Sequence, residues 1–500
     1  MEGLPDQIIR KNIINLIDQG ILVSPDLVEN TNLQTHLTSF KSEGITVLTK
    51  EIMDKFTEKL PETQIPKVSM VTQPLVTNQP KHAINLISDE ADLSKKRNVQ
   101  DFIGLFNSRY KTLERVLVNR RELQGVTSIS RIKNKNTRDR VALIGMVTEK
   151  QITKNKNILF KFEDPTGIIS VLISKNKQEL LDQAKDIQLD EVIGITGSTG
   201  KNIVFANNIF LPDIPLNKEL KKCPEEHYFL VLSDFHIGSN KFMAEEFDKF
   251  IKWIRCETGT DAQKKLASKI EYIFVIGDLV DGVGIYPNQE VELDIKDIYE
   301  QYKMCARYLK KIPKHIQIIV VPGNHDAMRM AEPQPPICEE LAPELYKMPN
   351  IRFFGNPSFI NLIPSEGFPG FNFLLYHGYS FPYYADNVES IRQHGGVDRA
   401  DLIMKYLLQR RHLAPTHTST LYIPDPKKDG LVIDKIPDFL ITGHLHKTVI
   451  SSYKNITTIS GSCWQAKTSF MEKMGIHPEP ARVPVVNLQT RDIKVLRFGK

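Results

Sequence analysis

Residues 316–326 read IQIIVVPGNHD: six mostly β-branched residues, a Pro-Gly break, then Asn324, His325 and Asp326 in succession. A continuous apolar run of this length suits a strand covered on both faces, and such strands present polar groups through the loops at their ends. Four further runs end in the same way: YFLVLSDFH (228–236), YIFVIGDLVDG (272–282), FNFLLYHG (371–378) and PDFLITGHLH (437–446). Together they predict an α/β domain in which Asp234, His236, Asp278, Asn324, His377, His444 and His446 converge along one rim. In an extended segment residues two apart point the same way, so Asp234 with His236, and His444 with His446, are expected to aim side by side.

Taken singly these endings are commonplace. Gly-Asp starts many turns, and an Asn after Pro-Gly can cap a helix. Five of them in order, each after an apolar run, point instead to a metal site. Carboxylate, carboxamide and imidazole donors without thiolate suit borderline-to-hard divalent ions. Seven donors exceed the needs of one ion and suit a pair about 3.5–4 Å apart that share a carboxylate.

The rest of the chain sets the frame. At 500 residues it exceeds what one core serves, and 41% hydrophobic with 25% charged residues describes a water-soluble globular chain. No apolar run approaches the ~20 residues needed to cross a bilayer, and the start, MEGLPDQIIRKN, has no signal-peptide pattern, so a cytoplasmic location without membrane contact is expected. Five scattered cysteines with no CxxC pair argue against a disulfide framework and a thiolate zinc site. A net charge of +5 permits a polyanionic partner without requiring one.

Helical stripes in PDQIIRKNIINLIDQG and VLTKEIMDKF predict a helical N-terminal module over 1–59, and Pro/Gln/Thr-rich sequence without a period predicts a flexible linker over 60–98. DFIGLFNSRYKTLERVL then predicts a helix packed on one side. Strand, hairpin (turning at Asp-Pro-Thr-Gly), helix and hairpin come next, the order of a five-stranded OB-fold β-barrel, giving a helix-plus-barrel domain over 99–215. Its basic loop RIKNKNTRDR (131–140), with Phe160 and Phe162, leaves DNA contact and a purely architectural role as alternatives.

The ordered set DFH, GDLVDG, GNHD, H and GHLH resembles the calcineurin-like metallophosphoesterases, which implies a four-layer α/β-sandwich with a dimetal centre over 216–500. The helix segment, the barrel and the stretches RRHLAPTHTSTLYIPDPKKDGLVIDKIPDFLITGHLH and WQAKTSFMEKMGIHPEPARVPVVNL resemble the small subunits of archaeal family D DNA polymerase. That resemblance implies a metal-dependent 3′→5′ exonuclease, proofreading DNA ends beside a large subunit that holds the polymerase site. It also implies a nucleoid-associated archaeal setting in which further replication factors are open as partners. A non-catalytic scaffold subunit and another calcineurin-like phosphoesterase are the alternatives.

Carried onto matching positions, the family's ligand set places Asp234, His236, Asp278 and His446 on one ion. Asp278, Asn324, His377 and His444 fall on the other, with Asp278 as the bridge. Mn²⁺ is favoured, with Mg²⁺, Fe²⁺ or Zn²⁺ as alternatives. His325, next to a ligand but not itself assigned one, is the candidate general acid or transition-state stabiliser. Asp326 is expected to accept from the His325 ring or to cap its loop, and Asp281 to support the loop after the bridge. Arg410, Arg411 and His412, in RRHLAP, are expected to contact substrate phosphates or the partner. His394, His417 and His477 are read as structural or surface residues, and Trp464 and Gln465 as packing.

Overall fold

The computed structural model describes residues 22–23, 47–48, 84–88, 96–134 and 139–499. The chain divides into two units, 1–74 and 75–500. In the first, Leu22–Val23 and Val47–Leu48 form a short parallel pair, so the second expected helix begins as strand. The remainder of the expected helical module lies outside the described residues.

Within the second unit, the expected linker carries a strand. Ile84–Ser88 pairs antiparallel with Ser358–Leu362 at the edge of a sheet. The sequence INLIS contains the short apolar alternation that an edge strand needs, too brief to stand out against its Pro- and Gln-rich surroundings. Helix Val99–Val118 comes next, started by a capping box: Asn98 accepts from the Gln100 and Asp101 amides, and Asp101 accepts from the Asn98 amide. Tyr110, Leu113 and Leu117 pack on barrel residues Ala142, Ile144 and Val192, while Leu105 packs with Phe359, Leu374 and Leu407. One helix therefore fastens the barrel to the C-terminal sheets.

The barrel closes five strands, Arg140–Ile152, Ile158–Asp164, Gly167–Ile173, Val192–Gly200 and Ile203–Phe210, in the order first, second, third, fifth, fourth. The third and fifth run parallel. Asp164 accepts from the amide and hydroxyl of Thr166 at 2.7 and 2.6 Å, which fixes the tight turn read from Asp-Pro-Thr-Gly. Phe160 and Phe162 are fully buried in the barrel core, so they are not available to stack on bases. They alternate with exposed or half-buried neighbours, and it is barrel closure, invisible in a local pattern, that turns their face inward.

Two six-stranded sheets make up the remainder. The first orders Ile351–Phe353, Gln317–Val321, Ile270–Ile276, Tyr228–Leu232, Arg482–Asn487 and Ile493–Arg497. Its first four strands are parallel, and the last two form an antiparallel edge. The second orders Val449–Tyr453, Ile456–Ser460, Phe439–Thr442, Phe371–Leu375, Ser358–Leu362 and Ile84–Ser88.

Side chains alternate along the central strands, whose two faces are both buried, while the edge strands Val449–Tyr453 and Ile493–Arg497 are partly exposed. Phe229, Val231, Phe274, Ile319 and Val321 meet Phe373, Leu375, Phe439 and Ile441 in a core shared by the two sheets. The Phe229 ring lies edge-on to Phe274, Phe373 and Phe439 at 5.2, 5.4 and 5.2 Å. The intervening Leu230, Leu232, Ile273, Val275, Ile318 and Val320 pack outward with helices Ala244–Ile254 and Ile298–Leu309. Leu374 and Leu440 pack outward with helices Phe381–Asn387 and Ala400–Arg410. This two-sided burial explains why the runs are apolar almost throughout, with half-buried Gln317 and Asn372 near two of their starts as exceptions. Truncating Phe229 to Ala would cost about 3–5 kcal/mol. Among the described residues, no helix is long and apolar enough to cross a membrane.

Candidate metal centre

Five strands end together: at Leu232, Ile276 and Val321 in the first sheet and at Leu375 and Thr442 in the second. The loops beyond them hold Asp234, Asp278, Asn324, His377 and His444, with His236 and His446 two residues further on. Three groups of donors form: Asp234, His236 and His446; Asp278, His377 and His444; and His236, Asp278 and His325. Asn324 joins the second, its Oδ1 lying 2.9 Å from His377 Nε2. The seven sequence-predicted ligand positions and His325 are therefore neighbours in space.

They meet by a route the extended-strand argument did not anticipate. Asp234, His236, Asp278, His444 and His446 all have positive φ, between 52° and 69°, and all lie past the ends of their strands. A left-handed residue costs a non-glycine side chain about 1–2 kcal/mol, so these turns persist only where neighbours hold them. Those neighbours are visible: the Asp234 and His236 amides donate to the Gly277 and Asp278 carbonyls, each at 3.0 Å, and the His444 amide donates to Asp234 Oδ2 at 3.0 Å. Alternating left-handed residues, not a pleat, bring the Asp-x-His and His-x-His pairs to one point.

Glycine permits the close approach. A Cβ at Gly277, which has φ +79°, would collide with His377 Nδ1, and one at Gly323 would collide with Asp278 Oδ1.

Ring orientation decides what the imidazoles offer. His377 Nδ1 faces the Ile276 carbonyl at 2.9 Å and must donate to it, leaving Nε2 to take a cation or a proton. His236 Nδ1 faces Asp281 Oδ1 at 3.1 Å, which likewise leaves its Nε2 lone pair directed inward. That Nε2 lies 3.0 Å from His446 Nε2, while His377 Nε2 lies beside Asn324 Oδ1 and 3.3 Å from Asp278 Oδ2. Buried lone pairs facing one another need a cation or a proton between them, so nitrogen and oxygen donors in this arrangement fit divalent metal.

The charges respond to one another. Burial opposes ionisation of Asp278, but the neighbouring imidazoles, His377 foremost, outweigh it and hold the carboxyl well below its ordinary value. Burial also opposes protonation of His377, yet Asp278 raises it to about 10. Burial, reinforced by His377, pushes His444 down to about 3.

His325 is half-buried, its ring edge-on to His236 at 4.5 Å. Its Nδ1 faces the Asp281 carbonyl at 2.8 Å, so Asp281, not Asp326, orients the ring. Asp326 is fully enclosed and accepts from the Leu279 and Gly323 amides, at 3.2 and 2.9 Å, and from the Tyr302 hydroxyl at 3.2 Å. Its role is to tie the 278 loop to the 323 loop; the turn at Asn324 and His325 carries the two side chains in different directions.

The small-subunit DNA polymerase II protein of Methanothermobacter thermautotrophicus is 38% identical over 469 residues, covering 93% of this chain and 92% of that protein. The chain belongs to the archaeal DNA polymerase II (family D) small-subunit family. The DNA polymerase II small subunits of Methanocaldococcus jannaschii (38% over 412 residues, 81% of this chain and 67% of that one) and Archaeoglobus fulgidus (35% over 419 residues, 84% and 81%) are also similar. The family of DNA polymerase alpha/epsilon B subunits matches residues 229–450, which include all seven donor positions.

In this family D small subunit, Arg410, Arg411 and His412, the expected phosphate or partner contacts, are buried and paired within the chain. Arg410 is buried against Glu191 of the barrel, its Nε 3.3 Å from the carboxylate and its guanidinium 3.6 Å from the Tyr406 ring. Arg411 donates to the Ile433 and Asp434 carbonyls, and His412 Nε2 meets Asp429 at 3.0 Å. The RRH motif is basic in sequence but internally satisfied in space: Arg410 pairs with Glu191 from the barrel, His412 with Asp429, and Arg411 with backbone carbonyls. The barrel docks here through these and other contacts, such as Asp190 accepting from the His417 amide. Of the basic loop 131–140, residues 135–138 lie outside the described residues.

Several members of the site's supporting shell have no sequence signature. Gln465, read as a packing residue, donates to Asp281 Oδ1 at 2.9 Å, and Gln289 donates to Oδ2 at 2.8 Å. Asn356 Oδ1 accepts from the His377 amide, its Nδ2 donates to Gln334, and Gln334 donates to the Gly323 carbonyl. Trp464 is a packing residue, buried against Phe247 at 4.7 Å.

Proposed function

We propose that the chain is a metal-dependent 3′→5′ exodeoxyribonuclease that removes nucleotides, mismatched ones included, from DNA 3′ ends beside a large subunit holding the polymerase site. The observation that carries this reading is the completeness of the converging donor set, with no ligand position lost. A scaffold subunit would not need the set, the left-handed turns that position it, or a free imidazole beside it.

The two stacked sheets with helices on their outer faces support the four-layer metallophosphoesterase fold, and the strand order of the barrel supports an OB type. The working division is 1–59, 60–98 with its edge strand, 99–215 and 216–500, in a cytoplasmic protein. Asp234, His236, Asp278 and His446 hold one divalent cation, and Asp278, Asn324, His377 and His444 the other. The position of Asp278 Oδ2, 3.8 Å from His236 Nε2 and 3.3 Å from His377 Nε2, supports its bridging role. When bound, two cations, Mn²⁺ by ligand chemistry with Mg²⁺, Fe²⁺ or Zn²⁺ as alternatives, offset phosphodiester charge and acidify water.

The residues of the chain do the rest. Asp281 keeps His236 on the tautomer that leaves Nε2 free. Its carbonyl holds His325 Nδ1–H, so the proton that His325 can give to the leaving 3′-oxygen is the one on Nε2.

The test incubates purified chain with Mn²⁺ and 3′-labelled single-stranded and mismatched-end DNA, with Asp278→Ala as control. Loss of label from the wild type alone is expected; equal degradation by the control would sink the claim. His325→Ala should lose most turnover while retaining metal content measured by mass spectrometry. Loss of metal would mark His325 as a ligand instead.

A further inference from the structure

Beside His325 the surface carries an aromatic pair that the metal centre does not use. The Tyr286 ring lies 6.4 Å from the His325 ring on one side and stacks on Phe470 at 5.4 Å and 27° on the other. The pair joins two separate segments, the loop after the bridging Asp278 and helix Ser469–Lys473. Glu292 fastens them: its Oε2 accepts from the Tyr286 hydroxyl at 3.2 Å, and its Oε1 accepts from the Ser469 amide and hydroxyl at 3.0 and 2.8 Å. Phe470 is nonetheless 42% exposed, and Val291 and Met474, on the same two segments, are more exposed still.

A single exposed ring would be unremarkable, but Phe470 is stacked on Tyr286 and shares its two segments with exposed Val291 and Met474, and grouped apolar exposure of this kind marks a binding surface. A fixed ring close to a phosphodiester-handling group matches the need of a single-strand site, because every base has a π-face and stacks without sequence preference. Apolar neighbours on both segments favour the same occupant, a planar heterocycle, over a second phosphate.

We propose that Phe470, backed by Tyr286, is a stacking subsite for the nucleobase at the DNA 3′ end, placing the terminal phosphodiester at the metal centre. The subsite rests on the nuclease reading above. It predicts tolerance of base identity together with dependence on a base being present.

The test uses the full-length chain with Mn²⁺ and an oligonucleotide whose last linkage is a phosphorothioate, carrying 2-aminopurine at its 3′ end. Wild type should quench the fluorophore and Phe470→Trp should retain the quenching. Phe470→Ala should lose it, with Kd rising about tenfold, the equivalent of one stacked base. An oligonucleotide with an abasic 3′ terminus should bind wild type as weakly as Phe470→Ala binds the intact one, and Phe470→Ala should bind the two alike. Equal quenching and affinity in wild type and Phe470→Ala, or an abasic penalty that survives the substitution, would overturn the subsite. Binding with quenching but without cleavage of ordinary DNA leaves the subsite standing and removes only the nuclease reading. Cleavage that is indifferent to Phe470 does the reverse.

Discussion

Two buried clusters in this protein use the same residue types and come to opposite states. At the barrel junction Asp429 meets Arg109 Nε at 2.7 Å and His412 Nε2 at 3.0 Å, and Arg109 also donates to the Pro415 carbonyl. The His412 ring is neutral, pushed down to about 4 by burial and by Arg109, and its Nδ1 accepts from the Ala414 amide. Positive and negative charge balance there. At the strand ends, two carboxylates and five imidazoles converge with Nε2 atoms of three of them facing other acceptors, and no guanidinium or ammonium group is in contact among the described residues. The first cluster is closed by protein charges, whereas the second needs cations, or protons on its own imidazoles, between its donors. Residue type did not separate them; the partners did.

The contrast can be tested from either cluster. On the proposed reading Asp278→Ala should do most, removing the proposed shared ligand and lowering the proposed DNA 3′-end hydrolysis by roughly 10³-fold, since charge stabilisation by such a site amounts to several kcal/mol. Folding measured by circular dichroism should be unaffected. If this variant retains activity, the strand-end cluster is as inert as the junction.

Arg109→Ala should act in the opposite sense. It leaves Asp429 buried without its main partner and should destabilise the fold by about 3–5 kcal/mol in urea unfolding. Metal bound per folded chain should not change, and a fall in metal content would show that the clusters are coupled.

Asp281→Ala tests the support beneath the ligands. Freed of its carboxylate, His236 should bind metal about 10–100-fold more weakly by calorimetry, with little loss of stability in a region held by so many strands. No change in affinity would demote Asp281 to a loop residue.

The smallest expected effect is on acid stability. Burial alone would raise the Asp429 pKa, but Arg109 and then His412 outweigh it and hold the carboxyl below its ordinary range. A carboxylate depressed in the folded state contributes stability that is present above the unfolded value, about 3.9, and is lost as pH falls further. Arg109→Gln should therefore move the acid-unfolding midpoint to higher pH, followed by circular dichroism. An unmoved midpoint would mean that other carboxylates govern acid unfolding.

The five strands were legible in the amino-acid sequence, because burial on both faces leaves them almost wholly apolar, with half-buried Glu271, Gln317 and Asn372 near their starts as exceptions, and so were the metal-type residues at their ends, because chemistry fixes donor identity. The helix over 99–118 and the tight turn at 164–167 were equally local and equally legible. Orientation and pairing came only with tertiary packing. Left-handed turns at Asp234, His236, Asp278, His444 and His446 aim the side chains, yet a positive φ on a non-glycine residue leaves no trace in composition. Phe160 and Phe162 face inward because a barrel closes, and Arg410 and His412 are silenced by Glu191 and Asp429, from elsewhere in the chain. Of the two tasks expected for Asp326 the structure shows loop capping, while the His325 ring meets the Asp281 backbone carbonyl and the Asp281 carboxylate meets His236, because which group reaches a ring depends on how two loops cross. Donor type is a property of a residue; donor availability belongs to its surroundings, which exist only after folding.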